Sequence, residues 1–158
     1  MSRPGPRGFT KVELAVALGV IVIVMSFAIP YYMAIVRHTQ ATQIMAELYA
    51  VRAAGYTYFA EAGTWPREYA PGLTPEELVK YLPGAFSFRN KRYLLDWENW
   101  RRPDGSSRSP QTGILIGVSV VTNDRSLLED VSSMVPSTAF RKISRRKSTL
   151  EILGRAGL

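Results

Sequence analysis

One carboxylate, Glu13, stands at the start of a long apolar segment, where a charged side chain requires an explanation. Residues 14–35 carry no charged side chain. As a helix they would be about 33 Å long, enough to cross a bilayer. A carboxylate close to the hydrocarbon core costs free energy unless it finds a partner. Two interpretations stay open: Glu13 is hydrated at the membrane surface beside Lys11, or it pairs with an ammonium group on another chain.

A source for such an ammonium group lies just before Glu13, at the bond between Gly8 and Phe9. Cleavage after Gly8 would free the amine of Phe9. In the second interpretation Glu13 pairs with that amine on a neighbouring copy of the chain. Neutralising the two charges would then drive lateral assembly within the membrane.

A resemblance to type IV pilin-like proteins, which include type II secretion pseudopilins, rests on residues 8–14, GFTKVEL. In that family a short basic leader ends in glycine, the mature chain begins with phenylalanine, and glutamate stands fifth in it. The resemblance implies that prepilin peptidase removes residues 1–8 and methylates the new terminus. Gly8 and Phe9 would carry processing, and Glu13 would carry assembly into a filament.

Two further positions bear on the resemblance. Pro30 matches a proline common in the helices of this family, and a proline inside a helix removes a backbone donor and favours a kink. Lys11 departs from the pattern, because the family usually has an aliphatic residue there. Since a cation resists burial in a filament core, Lys11 suits a minor or low-copy subunit.

The same residues also fit an ordinary secretory signal peptide. Arg3 and Arg7 would form its basic region, the apolar segment its core, and residues 26–28 its cleavage site. The product would be a secreted soluble protein that begins at Ile29. The uncharged segment continues past Ala28, which favours the pilin-like interpretation.

Length and charge limit the remaining possibilities. The chain has 158 residues, a net charge of +7, one histidine and no cysteine. It can hold one membrane helix and about one small domain, without a disulfide framework. Arg3, Arg7 and Lys11 precede the apolar segment, whereas Arg37 follows it. The positive-inside rule therefore predicts a single-pass inner-membrane protein with a cytoplasmic amino terminus and a periplasmic or extracellular carboxyl domain.

The residue pattern does not indicate an enzyme. His38, just outside the apolar segment, is interpreted as an interfacial polar residue, and with no cysteine the usual zinc sites are excluded. Residues 123–130 contain oxygen ligands that could bind calcium, but their spacing matches no recognised calcium loop and helix capping accounts for part of it. The sequence predicts no catalytic residue, no cofactor and no metal.

The predicted fold class is α+β, with a long N-terminal helix packed on a small antiparallel sheet, the lollipop shape of pilins. Residues 1–8 are the leader, 9–35 the transmembrane and assembly helix, 36–63 its amphipathic continuation and 64–158 the globular head. Helical spacing of apolar residues supports the continuation: Ala41, Ile44, Leu48, Val51, Gly55, Tyr58 and Ala62. Gly63 followed by Pro66 predicts the end of the helix.

Within the head, residues 92–100 and 113–122 are predicted to be antiparallel strands, joined by an exposed basic loop at 101–112. Thr74 with Glu77, and Ser126 with Glu129, are interpreted as two capping boxes that open short helices, the second ending before Pro136. Residues 138–153 are compatible with a third strand or, in part, with a helix.

Aromatic and basic residues complete the prediction for the head. The aromatic contact between helix and sheet is assigned to Phe59, Trp65, Tyr93, Trp97 and Trp100. The basic segment is either a solvated face or a surface for nucleic acid or anionic lipid, and it consists of Arg141, Lys142, Arg145, Arg146 and Lys147. Some DNA-uptake pilin subunits bind DNA through a basic surface.

Three functions are therefore weighed. The first is a structural subunit of a type IV pilus-like or type II secretion-like filament, with similar subunits, prepilin peptidase and an inner-membrane assembly platform as partners. The second is a DNA- or ligand-binding minor tip pilin, or a single-pass protein unrelated to filaments. The third is the secreted soluble protein.

Overall fold

The chain consists of one long helix and a small α+β domain. A computed structural model describes residues 8–104, 106–108, 113–136 and 139–154. The chain forms two compact units, the first ending at Arg37 and the second beginning at His38. Helix α1, Lys11–Ala62, has 52 residues, and a four-stranded antiparallel sheet follows it. The predicted α+β class is confirmed.

The second unit contains the sheet and two short helical elements. A 3-10 helix (Glu76–Tyr81) precedes β1 (Tyr93–Asn99) and β2 (Ile114–Thr122), and α2 (Arg125–Ser133) leads to β3 (Phe140–Lys142) and β4 (Lys147–Gly154). The strand order is β1-β2-β4-β3, and each neighbouring pair is antiparallel. Of the two alternatives left open for residues 138–153, the described part forms no helix; it forms two strands, β3 and β4, joined by a turn at 143–146, where a single third strand was predicted. Residue 138, and residues 105 and 109–112 of the predicted loop, lie outside the described residues.

One hydrophobic core lies between α1 and the sheet. The buried residues of α1 recur at helical spacing, as predicted: Ala41, Ile44, Met45, Leu48, Val51, Ala54 and Gly55. They join the inward residues of β1, β2 and β4 and the buried residues of α2 in a single cluster. Tyr58 packs against the edge of this cluster, whereas Ala62 is exposed. The amphipathic stripe therefore ends about one turn before the helix does.

A close contact between α1 and β1 sets the position of the loop that leaves the helix. The indole of Trp97 is fully buried against Gly55. Its Nε1 donates a hydrogen bond to the carbonyl of Pro66 at 3.2 Å, and the Nδ2 of Asn99 donates to the same oxygen at 2.7 Å. Helix α1 ends as predicted, with Gly63 at φ 69° donating its N–H to the carbonyl of Phe59.

Most of the predicted aromatic contact is present. The Phe59 and Trp65 rings stack with centroids 4.6 Å apart, and Trp65 lies 6.3 Å from Trp97. The hydroxyl of Tyr93 donates to Glu47 of α1 at 2.7 Å. The assignment of Trp100 was wrong: its ring lies beside Lys147, 5.7 Å from the Nζ atom. Alternation along β1 places position 100 on the same face as Asp96 and Glu98, which also contact Lys147, and not on the face of Tyr93 and Trp97.

Both predicted capping boxes in the head are wrong. The 3-10 helix has no side-chain cap, and the Thr74 hydroxyl instead accepts from the N–H of Phe88. In α2 the N-cap is Asp124, whose carboxylate accepts from the N–H of Leu127 at 3.1 Å. Asp124 and Ser126 are both of a type that caps helices, and the local sequence does not decide which of the two becomes the N-cap. The predicted end of α2 before Pro136 is correct.

The two edges of the sheet are different. Along β1, the coil before the strand makes backbone hydrogen bonds to its outer side: Leu95 donates to the carbonyl of Phe88, and its own carbonyl accepts from Gly72, both at 2.8 Å. The N–H of Asn99 donates to the carboxylate of Glu68. At the other edge, β3 has only three residues, two of which are basic.

We predict that Gly55→Ala destabilises the second unit. The new methyl carbon would lie 2.6 Å from Cη2 of Trp97, and the buried indole cannot move away without breaking its hydrogen bond to Pro66. We expect a cost of about 1–3 kcal/mol, larger than the gain in helix propensity of about 1 kcal/mol. Thermal unfolding of the full chain in detergent, followed by circular dichroism, measures it. Gly84→Ala is the control, because nothing lies within 4 Å of its added methyl; an equal melting temperature for both variants would contradict the prediction.

Candidate membrane and assembly site

The first part of α1 exposes apolar side chains in every direction. All residues from Gly8 to Ile35 are exposed, including Phe9 at 90% and Phe27 at 74%. Among the described residues, α1 is the one helix that is long enough and apolar enough, by length and composition, to cross a membrane. An apolar surface that surrounds a helix is typical of a segment that meets lipid or other chains rather than water.

Glu13 lies in the first turn of α1 and makes a reciprocal capping box with Thr10. The Glu13 Oε2 atom accepts from the N–H and the hydroxyl of Thr10, both at 2.8 Å. The N–H of Glu13 donates to the Thr10 hydroxyl at 3.2 Å. This contact was not predicted, although the spacing Thr-x-x-Glu is the sequence signal for it.

The capping box gives Glu13 a partner within its own helix. Because both bonds from Thr10 reach Oε2, the Oε1 atom makes no hydrogen bond to a described residue. Thr10 follows the Gly8–Phe9 bond, so cleavage there would leave the capping box intact. Glu13 can thus be partly satisfied by Thr10 and still present an oxygen to a cation outside the chain.

The other predicted residues of this region lie along the same helix. Helix α1 continues through Pro30, and four residues earlier the Ser26 hydroxyl donates to the carbonyl of Ile23 at 2.6 Å. His38 is exposed, and its carbonyl accepts from the hydroxyl of Thr42 at 3.0 Å. Pro30 as the helix kink stays a prediction.

The basic segment of the head divides into paired and exposed residues. Arg141 pairs with Glu151 at 3.3 Å. Lys147 is largely buried, with 22% of its side chain exposed, so it does not belong to a solvated face. Lys142, Arg145 and Arg146 are exposed around the turn that joins β3 and β4. A contact with nucleic acid stays a prediction, and its accessible part would be these three residues together with Arg141, whose side chain is 46% exposed despite its ion pair.

Lys147 belongs to a buried polar cluster on the face of the sheet that points away from α1. Its Nζ lies 2.8 Å from Oδ2 of Asp96 and contacts the carboxylate of Glu98, and these carboxylate side chains are 3% and 1% exposed. The Ser119 hydroxyl donates to Glu98 at 2.6 Å and lies 2.6 Å from the hydroxyl of Thr149. We call these five residues the Lys147 cluster. Because side chains alternate along β1, Asp96 and Glu98 share the face opposite Trp97, but alternation does not explain why that face is buried.

Burial and charge shift the protonation equilibria of the Lys147 cluster. Burial raises the pKa of Asp96 to about 7, and the Glu98 charge adds to this effect against the hydrogen bond from Lys147. Burial alone would lower the pKa of Lys147, but its hydrogen bonds to Asp96 and Glu98 outweigh it and raise that pKa. Burial also raises the pKa of Glu68, which faces the same charges. Carboxylates outnumber the single ammonium, and the Oδ1 atom of Asp96 has no partner among the described residues.

The residues weighed as calcium ligands have other contacts. Asp124 caps α2, and the Glu129 carboxylate pairs with Arg125 at 2.9 Å. Within the described ranges, no group of three or more His, Cys, Asp or Glu side chains could hold a metal ion.

Comparisons with known proteins add no relative: no protein-family model, no curated protein and no solved structure matches this chain.

We predict that Asp96→Asn becomes more stable relative to the unsubstituted protein as the pH rises from about 4 to about 7. The raised pKa means that the folded chain binds a proton which the unfolded chain has released in this range, so its contribution to stability falls as pH rises. Asparagine keeps an acceptor for Lys147 and has no charge to bury. Thermal unfolding across this pH range, with the exposed Asp104→Asn as control, measures the effect. A difference from the unsubstituted protein that does not change with pH would contradict it.

We also predict that Lys147→Met costs about 3 kcal/mol near neutral pH, because it leaves buried carboxylates without their cation. The cost should be smaller at pH 5, where a protonated carboxyl needs no counter-charge. Lys142→Met is the matched control, since Lys142 is exposed on the neighbouring strand. Equal costs for Lys147→Met at both pH values would show that lost packing, not charge, explains the effect.

Proposed function

We propose that this chain is a structural subunit of a type IV pilus-like or type II secretion-like filament. The observation that carries the proposal is the continuous exposure of residues 8–35, a segment whose single carboxylate, Glu13, stands where the apolar surface begins. The resemblance of residues 8–14 to a prepilin processing site and the small antiparallel sheet after the helix support it.

The exposed apolar surface explains why such a chain would assemble. Leaving it in water would cost about 25 cal/mol for each Å² of apolar area, so it requires lipid before assembly and similar helices afterwards. A helix satisfies its own backbone hydrogen bonds, which allows it to exchange lipid for protein neighbours without breaking any of them. The membrane would store the subunit, and a filament would bury the same surface.

Glu13 would determine which helices can pack beside the apolar segment. In lipid, the Thr10 capping box lowers the cost of the carboxylate without removing its charge. The amine of Phe9 on another copy, freed by cleavage after Gly8, would supply the opposite charge. Lys11 lies two residues from Glu13 and would stay hydrated at the surface, which suits a minor or low-copy position.

The proposal assigns the chain a place and partners. It would be a single-pass protein of the inner membrane, with its amino terminus in the cytoplasm and its sheet domain in the periplasm or outside the cell. Its partners would be similar subunits, prepilin peptidase and an inner-membrane assembly platform. Nothing in the proposal requires a cofactor.

The assembly step is tested by substituting Glu13. Glu13→Leu should abolish crosslinking between helices of neighbouring chains while membrane insertion is kept, since a leucine is favourable in lipid and cannot pair with an amine. Glu13→Gln is the sharper variant, because glutamine keeps the capping geometry without the charge. We expect it to fail as well. Site-directed crosslinking in membranes measures both.

Crosslinking that persists in Glu13→Gln but is lost in Glu13→Leu would assign Glu13 to capping alone and contradict the charge-pairing step. A matched control is Glu61→Gln, which removes a carboxylate from the other end of the same helix, where Glu61 pairs with Lys80 at 2.8 Å. It should leave crosslinking unchanged.

Processing is tested by the mass and first residue of the native chain. We expect a membrane-bound product that begins at Phe9 and carries one methyl group. A soluble product beginning at Ile29 would replace the proposal with the secreted protein, and an untrimmed chain beginning at Met1 would contradict both. Gly8→Leu should block cleavage while membrane insertion remains.

A further inference from the structure

A basic cavity lies where the loop after α1 meets the end of β1, and neither the proposed function nor the processing residues use it. It has a volume of about 390 Å³ and is broadly open to solvent. Three arginines line it, Arg101, Arg102 and Arg108, together with the Trp65 indole and the polar residues Thr64 and Asn99. All of these residues belong to the second unit.

The positions of the three arginines are set by backbone hydrogen bonds. Arg102 donates its N–H to the carbonyl of Ser106 at 2.8 Å, and Arg108 donates to the carbonyl of Trp100 at 2.7 Å. Arg101 forms an isolated antiparallel bridge with Ser107. These bonds bring the two ends of the turn together, so cations that are seven residues apart in sequence face one cavity.

The charge of this cavity is only partly compensated by the described part of the protein, because the Asp104 carboxylate attracts Arg102 from outside the lining. None of the three guanidinium groups forms an ion pair with a described residue, and the described lining contains no carboxylate. The carboxylate of Asp104, in the same turn, accepts from the N–H and the hydroxyl of Ser106 at 2.8 and 2.6 Å and does not line the cavity. Three cations held close together repel each other, which an anion would relieve.

The other wall of the cavity is aromatic and fixed in place. Trp65 is half-buried, with Phe59 stacked on it at 4.6 Å and the edge of Tyr56 at 5.6 Å. The carbonyl of the next residue, Pro66, accepts hydrogen bonds from Trp97 and Asn99. The indole is thus held by its neighbours before any ligand arrives, which lowers the entropic cost of binding against it.

We propose that this cavity binds an organic phosphate, with the phosphate group on the arginines and a sugar ring packed against Trp65. Guanidinium groups match phosphate oxygens with paired hydrogen bonds, and an indole gives apolar contact to the carbon face of a ring. The volume leaves room for a phosphate and one ring. The phosphate could come from a free sugar phosphate or from a glycolipid headgroup, since both present the same chemistry.

Binding is measured by isothermal titration calorimetry on the full chain in neutral detergent at low salt. The probes are inorganic phosphate, a hexose phosphate and the unphosphorylated hexose. We expect the hexose phosphate to bind more tightly than inorganic phosphate, and the free hexose not to bind. Vesicles containing phosphatidylinositol phosphate distinguish the lipid source: competition between them and the hexose phosphate supports one shared site.

Two kinds of variant separate the phosphate subsite from the ring subsite. Arg102→Gln and Arg108→Gln should each weaken both phosphates by about tenfold. Trp65→Leu should weaken the hexose phosphate to the level of inorganic phosphate and leave the latter unchanged. Arg145→Gln, an exposed arginine on the turn between β3 and β4, is the matched control and should have no effect. Far-ultraviolet circular dichroism checks that every variant is folded.

Three outcomes would overturn the proposal. The first is that no phosphate probe binds. The second is an equal loss of affinity in Arg145→Gln and Arg102→Gln, which would indicate a general effect of net charge. The third is binding of a single-stranded oligonucleotide with no binding of the small phosphates, which would make this face a polyanion surface. None of these results depends on whether the chain assembles into a filament.

Discussion

The contact between Gly55 and Trp97 is the constraint on which the second unit depends. Only a residue without a side chain lets α1 approach β1 closely enough for the indole to lie fully buried between them. The same indole holds the carbonyl of Pro66, and so fixes where the chain turns after the helix. Trp65 lies in that turn, which connects the packing of the core to the shape of the basic cavity. A fold contact and a candidate binding surface therefore share one anchor.

The first unit follows the opposite rule, because its stability does not come from burial within the chain. Residues 11–35 are the first part of α1, and their apolar side chains find no cover among the described residues. Such a surface is stable only in an apolar environment, which lipid or similar helices can provide. The capping box of Thr10 and Glu13 gives this helix a defined start, so the carboxylate is held in one position at the place where the apolar surface begins. A fixed charge at a fixed depth can be selective for its partner.

Sequence patterns predicted those parts of the fold that depend on periodicity and missed those that depend on distant partners. The helical spacing from Ala41 to Gly55 and the Ile- and Val-rich strand β2 are local signals, and both were correct. The burial of Asp96 and Glu98 was not predictable from β1 alone. It depends on Lys147, some fifty residues later in β4, whose side chain reaches over β2 and pairs with both carboxylates. Lys147 itself follows Arg145 and Arg146, and a run of basic residues predicts an exposed position. The Thr10 capping box is a local signal as well, since Thr-x-x-Glu is its sequence pattern.

The edges of the sheet carry a consequence for a protein that would be crowded among its own copies. On one side, coil residues already occupy the outward donors and acceptors of β1, including those of Leu95 and Asn99. On the other side, β3 is too short to template a strand and carries two exposed cations, Arg141 and Lys142. Neither edge of the sheet can readily pair with a strand from another chain, which opposes amyloid-type aggregation. High local concentration would then be tolerated without misfolded aggregates competing against ordered association.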